Sequence, residues 1–268
     1  MTAGAQTFVY EGFSSTTGLG VNGDAAVVGT TNGSVLRLAS DTEAQAGSAF
    51  TTNRVNIEGF STAFQFRLSN RGGIDDASEQ IGGDGFTFAI QTAGSTAIGT
   101  SGGGLAYEGI VPSVAIEFDT YYNSGDDPTP ASAGTNHVGI NAGGSMDSIV
   151  DAAVSTRLDN GVLWTAWIDY NDTTSVLEVR LSTDGLRPSS ALLSHSISIA
   201  SQLNSSTAFV GFTGATGSAY ADHDILNWAF SPNYVVGGIS AVPEPGTVAL
   251  LVLGGLMLLG ARRFRRAR

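Results

Sequence analysis

Between Val114 and Gly139 the chain gathers Glu117, Asp119, Asn123, Asp127 and His137, all metal-ligating residue types, with Tyr121 among them. If Val114 to Thr120 is an extended strand, alternate side chains share a face. Glu117, Asp119 and Tyr121 then point one way, and Ile116, Phe118 and Thr120 the other. Two carboxylates on one half-buried face repel, so they need cations or raised pKa values. Oxygens from Asp119, the Tyr121 carbonyl, the Asn123 amide and Asp127 suit calcium, which prefers a shell of hard oxygen ligands. A neighbouring set of Glu117, Asp119, Asp127 and a neutral His137 suits manganese or another octahedral transition ion. From spacing alone, a solvated acidic strand and loop with no ion stands as the alternative.

The elements that must position these groups are short strands. From Thr7 to Phe230, alternating apolar runs are separated by Gly, Asn, Asp and Ser clusters, with no convincing helical period. Ala63–Leu68, Gly85–Ile90, Ser113–Thr120, Val162–Tyr170, Ser175–Leu181 and Ala208–Phe212 all fit half-buried strands. The 268 residues include 36 glycines and only 13% charged residues, with 42% hydrophobic, a composition for many strands and tight turns around a sizeable core. No linker interrupts the series before about Ser231, so a single jelly-roll or related antiparallel sandwich is expected. Trp164, Trp167 and Trp228 lie in strand patterns and are expected to pack in the core or on a sheet.

Charge narrows the function. The formal net charge is -12, and there is no lysine. Arg262, Arg263, Arg265, Arg266 and Arg268 crowd the last few residues, so the body is more acidic than the total. Without a basic stripe to neutralise phosphates, nucleic-acid binding is excluded. The absence of cysteine excludes disulfides, thiolate zinc sites and cysteine nucleophiles.

The ends point to export. Val242-Pro243-Glu244-Pro245-Gly246 precedes an apolar run, Thr247 to Ala261, and then the arginine cluster. As a helix that run would reach about 22 Å, short of the roughly 30 Å hydrocarbon core, so a permanent span would be strained. An ordinary tail anchor is the alternative. Pro-Glu-Pro, short apolar helix and arginine cluster resemble the PEP-CTERM sorting signal of Gram-negative bacteria over residues 242–268. That resemblance implies export, transient inner-membrane anchoring through the helix, processing by an exosortase-type enzyme, and a final place in the envelope or outside the cell. Ala3-Gly4-Ala5 reads like the end of a signal peptide, placing the true start upstream and leaving residues 1–6 as its remnant.

The run Glu117-Phe118-Asp119-Thr120-Tyr121-Tyr122-Asn123, followed by Asp127-Pro128 and His137-Val138-Gly139-Ile140-Asn141, resembles the metal-binding signature of the legume-type (L-type) lectins. Asn22-Gly23-Asp24-Ala25, Phe60-Ser61-Thr62-Ala63-Phe64, Gly83-Asp84-Gly85-Phe86-Thr87-Phe88 and His223-Asp224-Ile225-Leu226-Asn227-Trp228 follow in that family's order. The resemblance implies a concanavalin A-like sandwich over residues 7–232, a linker at 233–241 and the sorting tail beyond. It also implies a calcium and transition-metal site shaping a monosaccharide pocket for a glycan such as exopolysaccharide. In that pocket Asp84 would accept from sugar hydroxyls, and Asn123 would donate to the sugar while its oxygen holds calcium. Gly103 or Gly104 would offer a backbone amide, and Tyr121 would present its ring. Ala219 and Tyr220, from a specificity loop particular to this chain, complete the expected contacts, with Asp222 a further candidate. The Gly83–Asp84 bond is expected to be cis. Asp126 departs from the family, standing where an aromatic residue is usual.

A glycoside hydrolase on the same fold would carry a second glutamate on the Glu117 strand, five residues on. Position 122 is Tyr122, so that reaction lacks its acid. A matrix or adhesin protein with a purely stabilising metal site is the remaining rival. Gly102-Gly103-Gly104 has neither a Lys-Ser/Thr nor a following helix to make it a phosphate cradle. His195 and His223 stand apart from other ligating residues and are expected to be structural.

Overall fold

The computed structural model describes residues 7–31, 33–76, 80–128 and 135–240. In chain order the strands are β1 (Phe8–Tyr10), β2 (Leu19–Gly23), β3 (Ala26–Thr30), β4 (Gly33–Arg37), β5 (Ala46–Thr51) and β6 (Val55–Asn56). Next come β7 (Phe60–Gly73), β8 (Gly85–Gln91), β9 (Ser113–Asp119), β10 (His137–Ala142) and β11 (Val150–Ala153). The last are β12 (Trp164–Asn171), β13 (Val176–Ser182), β14 (Leu193–Ser196), β15 (Thr207–Ala215) and β16 (Ala219–Ser231).

Two antiparallel sheets face each other. One, the rear sheet, runs β14-β13-β12-β7-β16-β4-β3, with β1 beside β16. The other, which bears the site, runs β11-β10-β9-β8-β15-β5-β2, with β6 beside β15. Sequence neighbours such as β15 and β16 thus lie in different sheets, which is how a jelly-roll closes two apolar faces on each other. All six expected strands are present, with ends shifted by a residue or a few. The one α-helix among the described residues was not expected from the sequence pattern. Helix α1 (Ile199–Leu203) is capped by Ser198, whose Oγ accepts from the Ser201 amide at 3.4 Å. Five residues are under two turns, too short to print a 3.6-residue period. The expected C-terminal helix and the N-terminal remnant lie outside the described residues. Among those described, no helix is long and apolar enough to cross a membrane.

Alternation accounts for the core. Ile116 and Phe118 point inward from β9 and are fully buried, while Ala115 on the opposite face packs with Phe50, Ala89, Leu105, Tyr107 and Met146 in a second cluster. Aromatic rings dominate the main core: Phe86 stacks on Phe118 at 4.7 Å, and Phe64 meets Phe212 edge-on at 5.0 Å. Trp228 packs edge-on against Phe212 at 4.9 Å and donates its indole N–H to Thr62 Oγ1 at 2.9 Å, satisfying its one polar atom. Trp164, Trp167 and Trp228 are all buried, as expected. Pro232 to Ser240 continue along the body: the Val235 amide donates to Ser61 Oγ at 3.0 Å, and Gly238 lies against the Arg187 side chain.

This core ties the site-bearing sheet to the rear one through Phe64. Phe64→Ala leaves a cavity among five ring neighbours, four of them from the site-bearing sheet, and is expected to cost about 3–5 kcal/mol of unfolding free energy in urea titrations. A loss under about 1 kcal/mol would contradict a shared aromatic core.

Candidate functional site

Strand pairing brings the acidic groups together. In the β9–β10 register His137 lies directly opposite Asp119, and Glu117 opposite Gly139. A side chain at 139 would collide with Glu117 and Ser148, so glycine there makes the room that both groups occupy. The period-two face therefore carries Glu117 and Asp119 on one strand and His137 and Asn141 on the next. Ligand atoms of Asp119, Asp127 and His137 lie within 4.8 Å of one another.

Glu117 is fully enclosed in hydrogen bonds. His137 Nε2 is 2.9 Å from its Oε1, and Asn141 Nδ2 donates to Oε2 at 2.7 Å. Ser148 Oγ lies 2.5 Å from Oε1 and 2.7 Å from Asn141 Oδ1, and its single proton serves one of them. Asn141 and Ser148 were not among the expected site residues. The first was legible, two positions beyond Gly139 on the same face; the second arrives from the β10–β11 turn and left no signal in the sequence.

Beyond β9 the chain bends, so Tyr121 is not a strand residue as the alternation assumed. The turn is closed by carboxylates: the Tyr121 amide donates to Asp119 Oδ1 at 2.8 Å, and the Asn123 amide donates to Asp127. Asp119 is pushed well above the ordinary carboxylate range by burial, then by Asp127 and Glu117, against which the Tyr121 amide pulls down. Burial lifts Asp127 to about 7, with Asn123 and His137 opposing. The buried Asn123 Oδ1 makes no hydrogen bond to protein. Converging acidic oxygens, a histidine and an unmatched amide oxygen are a donor set that a divalent cation satisfies.

A second group of residues meets this turn from above. The Gly83–Asp84 bond is cis, as expected. The Asp84 amide donates to the Ala215 carbonyl at 3.1 Å, and its carbonyl accepts from Thr120 N at 2.9 Å and Thr120 Oγ1 at 3.0 Å. The carboxylate is thereby aimed beside the turn, buried, with Oδ2 unpartnered by protein. Burial raises it to about 7, and the Gly217 backbone lowers it in part.

Gly103, in a 3-10 turn spanning Gly102–Gly104, packs against the Asn123 amide: a Cβ there would stand 2.6 Å from its Oδ1. Gly104 instead faces Thr100 and Glu108, and its amide donates to the Ser101 carbonyl at 3.3 Å. Tyr121 packs over Gly83, which also touches Ala219, and its phenol donates to the Asp75 carbonyl at 3.2 Å. Tyr121 and Ala219 therefore meet at Gly83, next to Asp84, and Gly103 meets Asn123. Tyr220 points to the other side, its ring over Gly72. Asp222 is committed to Arg37 and Asn70, each at 2.7 Å. His223 is fully buried, and burial holds its imidazole neutral, down to about 3.

Comparison with known proteins agrees with this geometry. The family model Legume lectin domain matches residues 5–240. The chain belongs to the legume lectin family. Favin of Vicia faba is 34% identical over 181 residues, covering 65% of this chain and 71% of favin. The L-type lectin-domain containing receptor kinase VIII.1 of Arabidopsis thaliana is 31% identical over 235 residues, covering 85% of this chain, which spans 30% of that kinase. Among solved structures, lectin I-B4 from Griffonia simplicifolia in its metal-free form superposes with TM-score 0.69 at 26% identity, covering 85% of this chain and 99% of that one. Basic winged bean lectin with Tn-antigen gives TM-score 0.68 at 26% identity, with 85% and 98% covered. A PEP-CTERM protein-sorting motif matches residues 241–266. A legume lectin domain is a non-catalytic carbohydrate-binding unit, in keeping with Tyr122 at the place of a hydrolase's second glutamate.

The carboxylates set the pH response. With raised values in the fold and the ordinary value of about 4 when unfolded, Asp119 and Asp127 bind more protons folded than unfolded. The metal-free protein is thus expected to lose stability as pH rises from about 4 to about 7 through Asp127, with Asp119 acting in the same direction. A bound cation needs these groups ionised, so the stabilisation from added calcium and manganese should grow across that window. Thermal melts with chelator and with metal, taken between pH 5 and 8, are the check. Parallel profiles in the two conditions would remove this cluster as the metal site.

Proposed function

We propose that this protein is a calcium-dependent, non-catalytic lectin whose metal-ordered loop holds a monosaccharide unit of an extracellular glycan such as exopolysaccharide. The observation that carries this reading is the pairing of two unmatched buried oxygens, Asn123 Oδ1 and Asp84 Oδ2, on either side of the turn. One faces a cation's chemistry and the other a hydroxyl's. Asp119, the Tyr121 carbonyl, the Asn123 amide oxygen and Asp127 would hold calcium. Glu117, Asp119, Asp127 and His137 would hold manganese or another divalent transition ion. When bound, the ions supply positive charge that neutralises the crowded carboxylates and orders the loop before sugar arrives, lowering the cost of binding.

The chain's own groups do the recognition. Asp84 accepts from sugar hydroxyls, the Asn123 amide N–H and the Gly103 backbone N–H donate, and Tyr121 offers a flat apolar face beside Ala219. Of the two glycine candidates, Gly103 is preferred over Gly104 for its contact with Asn123. The body at 7–232 would act outside the cell. A connecting segment, 233–241, and a tail, 242–268, would anchor the chain transiently in the inner membrane until an exosortase-type enzyme processes it, and the sorting motif supports that route.

A glycan array probed with the full chain in calcium and manganese, in chelator, and as Asp84→Ala is the deciding experiment. Galactose and N-acetylgalactosamine are sensible first probes, since related lectins were solved with Tn-antigen and with galactose. Binding should require metal and fall about 100-fold or more in Asp84→Ala, as expected when two charge-assisted hydrogen bonds are lost. Chelation that lowers the melting temperature while no glycan binds in either state would replace the lectin by the matrix-protein reading.

A further inference from the structure

The loop between β11 and β12 touches three parts of the site at once. Asn136, immediately before His137, donates through Nδ2 to the carbonyls of Val154 at 2.5 Å and Thr156 at 2.9 Å. Its Oδ1 accepts the Leu158 amide at 2.9 Å. From the loop so held, Arg157 Nη2 donates to the carbonyl of Thr120 at 3.0 Å, and Thr120 is the residue that follows Asp119 and grips the Asp84 carbonyl. The same guanidinium forks onto Asp159 through Nε at 2.7 Å and Nη2 at 2.6 Å. Asp159 is buried against Gly82, two residues before Asp84, with Arg71 3.8 Å away.

We propose that Arg157 and Asp159 are positioning residues for sugar binding. They hold the Gly82–Asp84 turn and the Thr120 end of the metal strand in register with the His137 strand. This deepens the lectin reading and rests on it. Both backbone groups of Asp84 are bonded, to Ala215 and Thr120, so the direction of its carboxylate is inherited from Thr120. The Thr120 carbonyl is in turn set by Arg157. The planar fork takes both oxygens of Asp159 while Nη2 also reaches the Thr120 carbonyl at a fixed angle; the three donors of lysine sit on one compact, flexible ammonium that does not reproduce this bidentate geometry. Neither residue touches the expected ligand atoms, so their effect passes through Asp84 and the turn.

Two variants of the full chain test this. In Arg157→Met with Asp159→Leu, both charges leave together, which avoids stranding one buried ion and preserves folding where removal of a single partner would not. Arg157→Lys keeps the charge and loses the fork. Calcium titration, sugar titration at saturating calcium, melting in chelator, and the amide 1H–15N shifts of Asp84 and Thr120 are the readouts. The sugars are free galactose, N-acetylgalactosamine, mannose, glucose and fucose. The double variant should melt in chelator within a few degrees of wild type, bind sugar at least tenfold more weakly at saturating calcium, and move the Asp84 and Thr120 peaks. Arg157→Lys should weaken sugar binding severalfold with metal-free melting unchanged. Sugar affinity within twofold of wild type in Arg157→Lys overturns the proposal, whether or not the double variant folds. If the wild type itself binds none of these sugars, the lectin reading is what suffers, and the pair is judged by the amide shifts, with unchanged peaks overturning it.

Discussion

Like charge brought into a protein interior is the constraint around which this structure is organised. Glu117, Asp119 and Asp127 converge from one strand and the turn that follows it, and burial raises Asp119 and Asp127 toward the protonated form. A fold retains such a cluster at a cost unless partners compensate it. Part of that compensation is visible in the protein: His137, Asn141 and Ser148 around Glu117, and backbone amides against Asp119 and Asp127. What remains is a candidate metal-binding cluster of Asp119, Asp127 and His137, with the unmatched amide oxygen of Asn123 in the same turn.

Everything else near the site keeps that cluster in place. The aromatic core behind β9 fixes the strand through Phe118, which stacks on Phe86 of β8, and β8 begins at the residue after Asp84. Core packing and carboxylate placement are therefore two faces of the same strands, one turned to the main aromatic core, the other carrying Glu117 and Asp119 beside a second, smaller apolar cluster. The loop carrying Arg157 closes the arrangement by joining β10, the end of β9 and the Asp84 turn, pieces that share no local sequence.

Much of this was legible in residue order. Period-two alternation located six of the strands, and the spacing of Glu117, Asp119 and His137 marked a candidate ligating face, because side-chain direction in a strand follows position alone. What spacing could not do was end the strand correctly: Tyr121 was assigned to the Glu117 face, yet the chain turns after Asp119 because two carboxylates capture the backbone amides of Tyr121 and Asn123. Helix α1 was missed for a related reason, since one short turn capped by Ser198 leaves no periodic trace. Tyr220 and Ala219 are adjacent in sequence, but adjacent strand residues face opposite ways, and only Ala219 reaches Gly83.

By itself the sequence determined the composition of the two sheet faces, the acidic chemistry of the site and, through ordered motifs, the family. Those are properties of residue type and of near spacing, which the backbone geometry of a strand translates directly. Tertiary structure alone decided which distant groups complete the site, Ser148 beside Glu117, Gly217 near Asp84, and Arg157 with Asp159 behind Thr120, and which of the two expected glycines, Gly103, meets Asn123. Each of these contacts joins segments from different strands or loops, and their meeting depends on how two twisted sheets close around a shared core, a long-range packing outcome that no local pattern encodes.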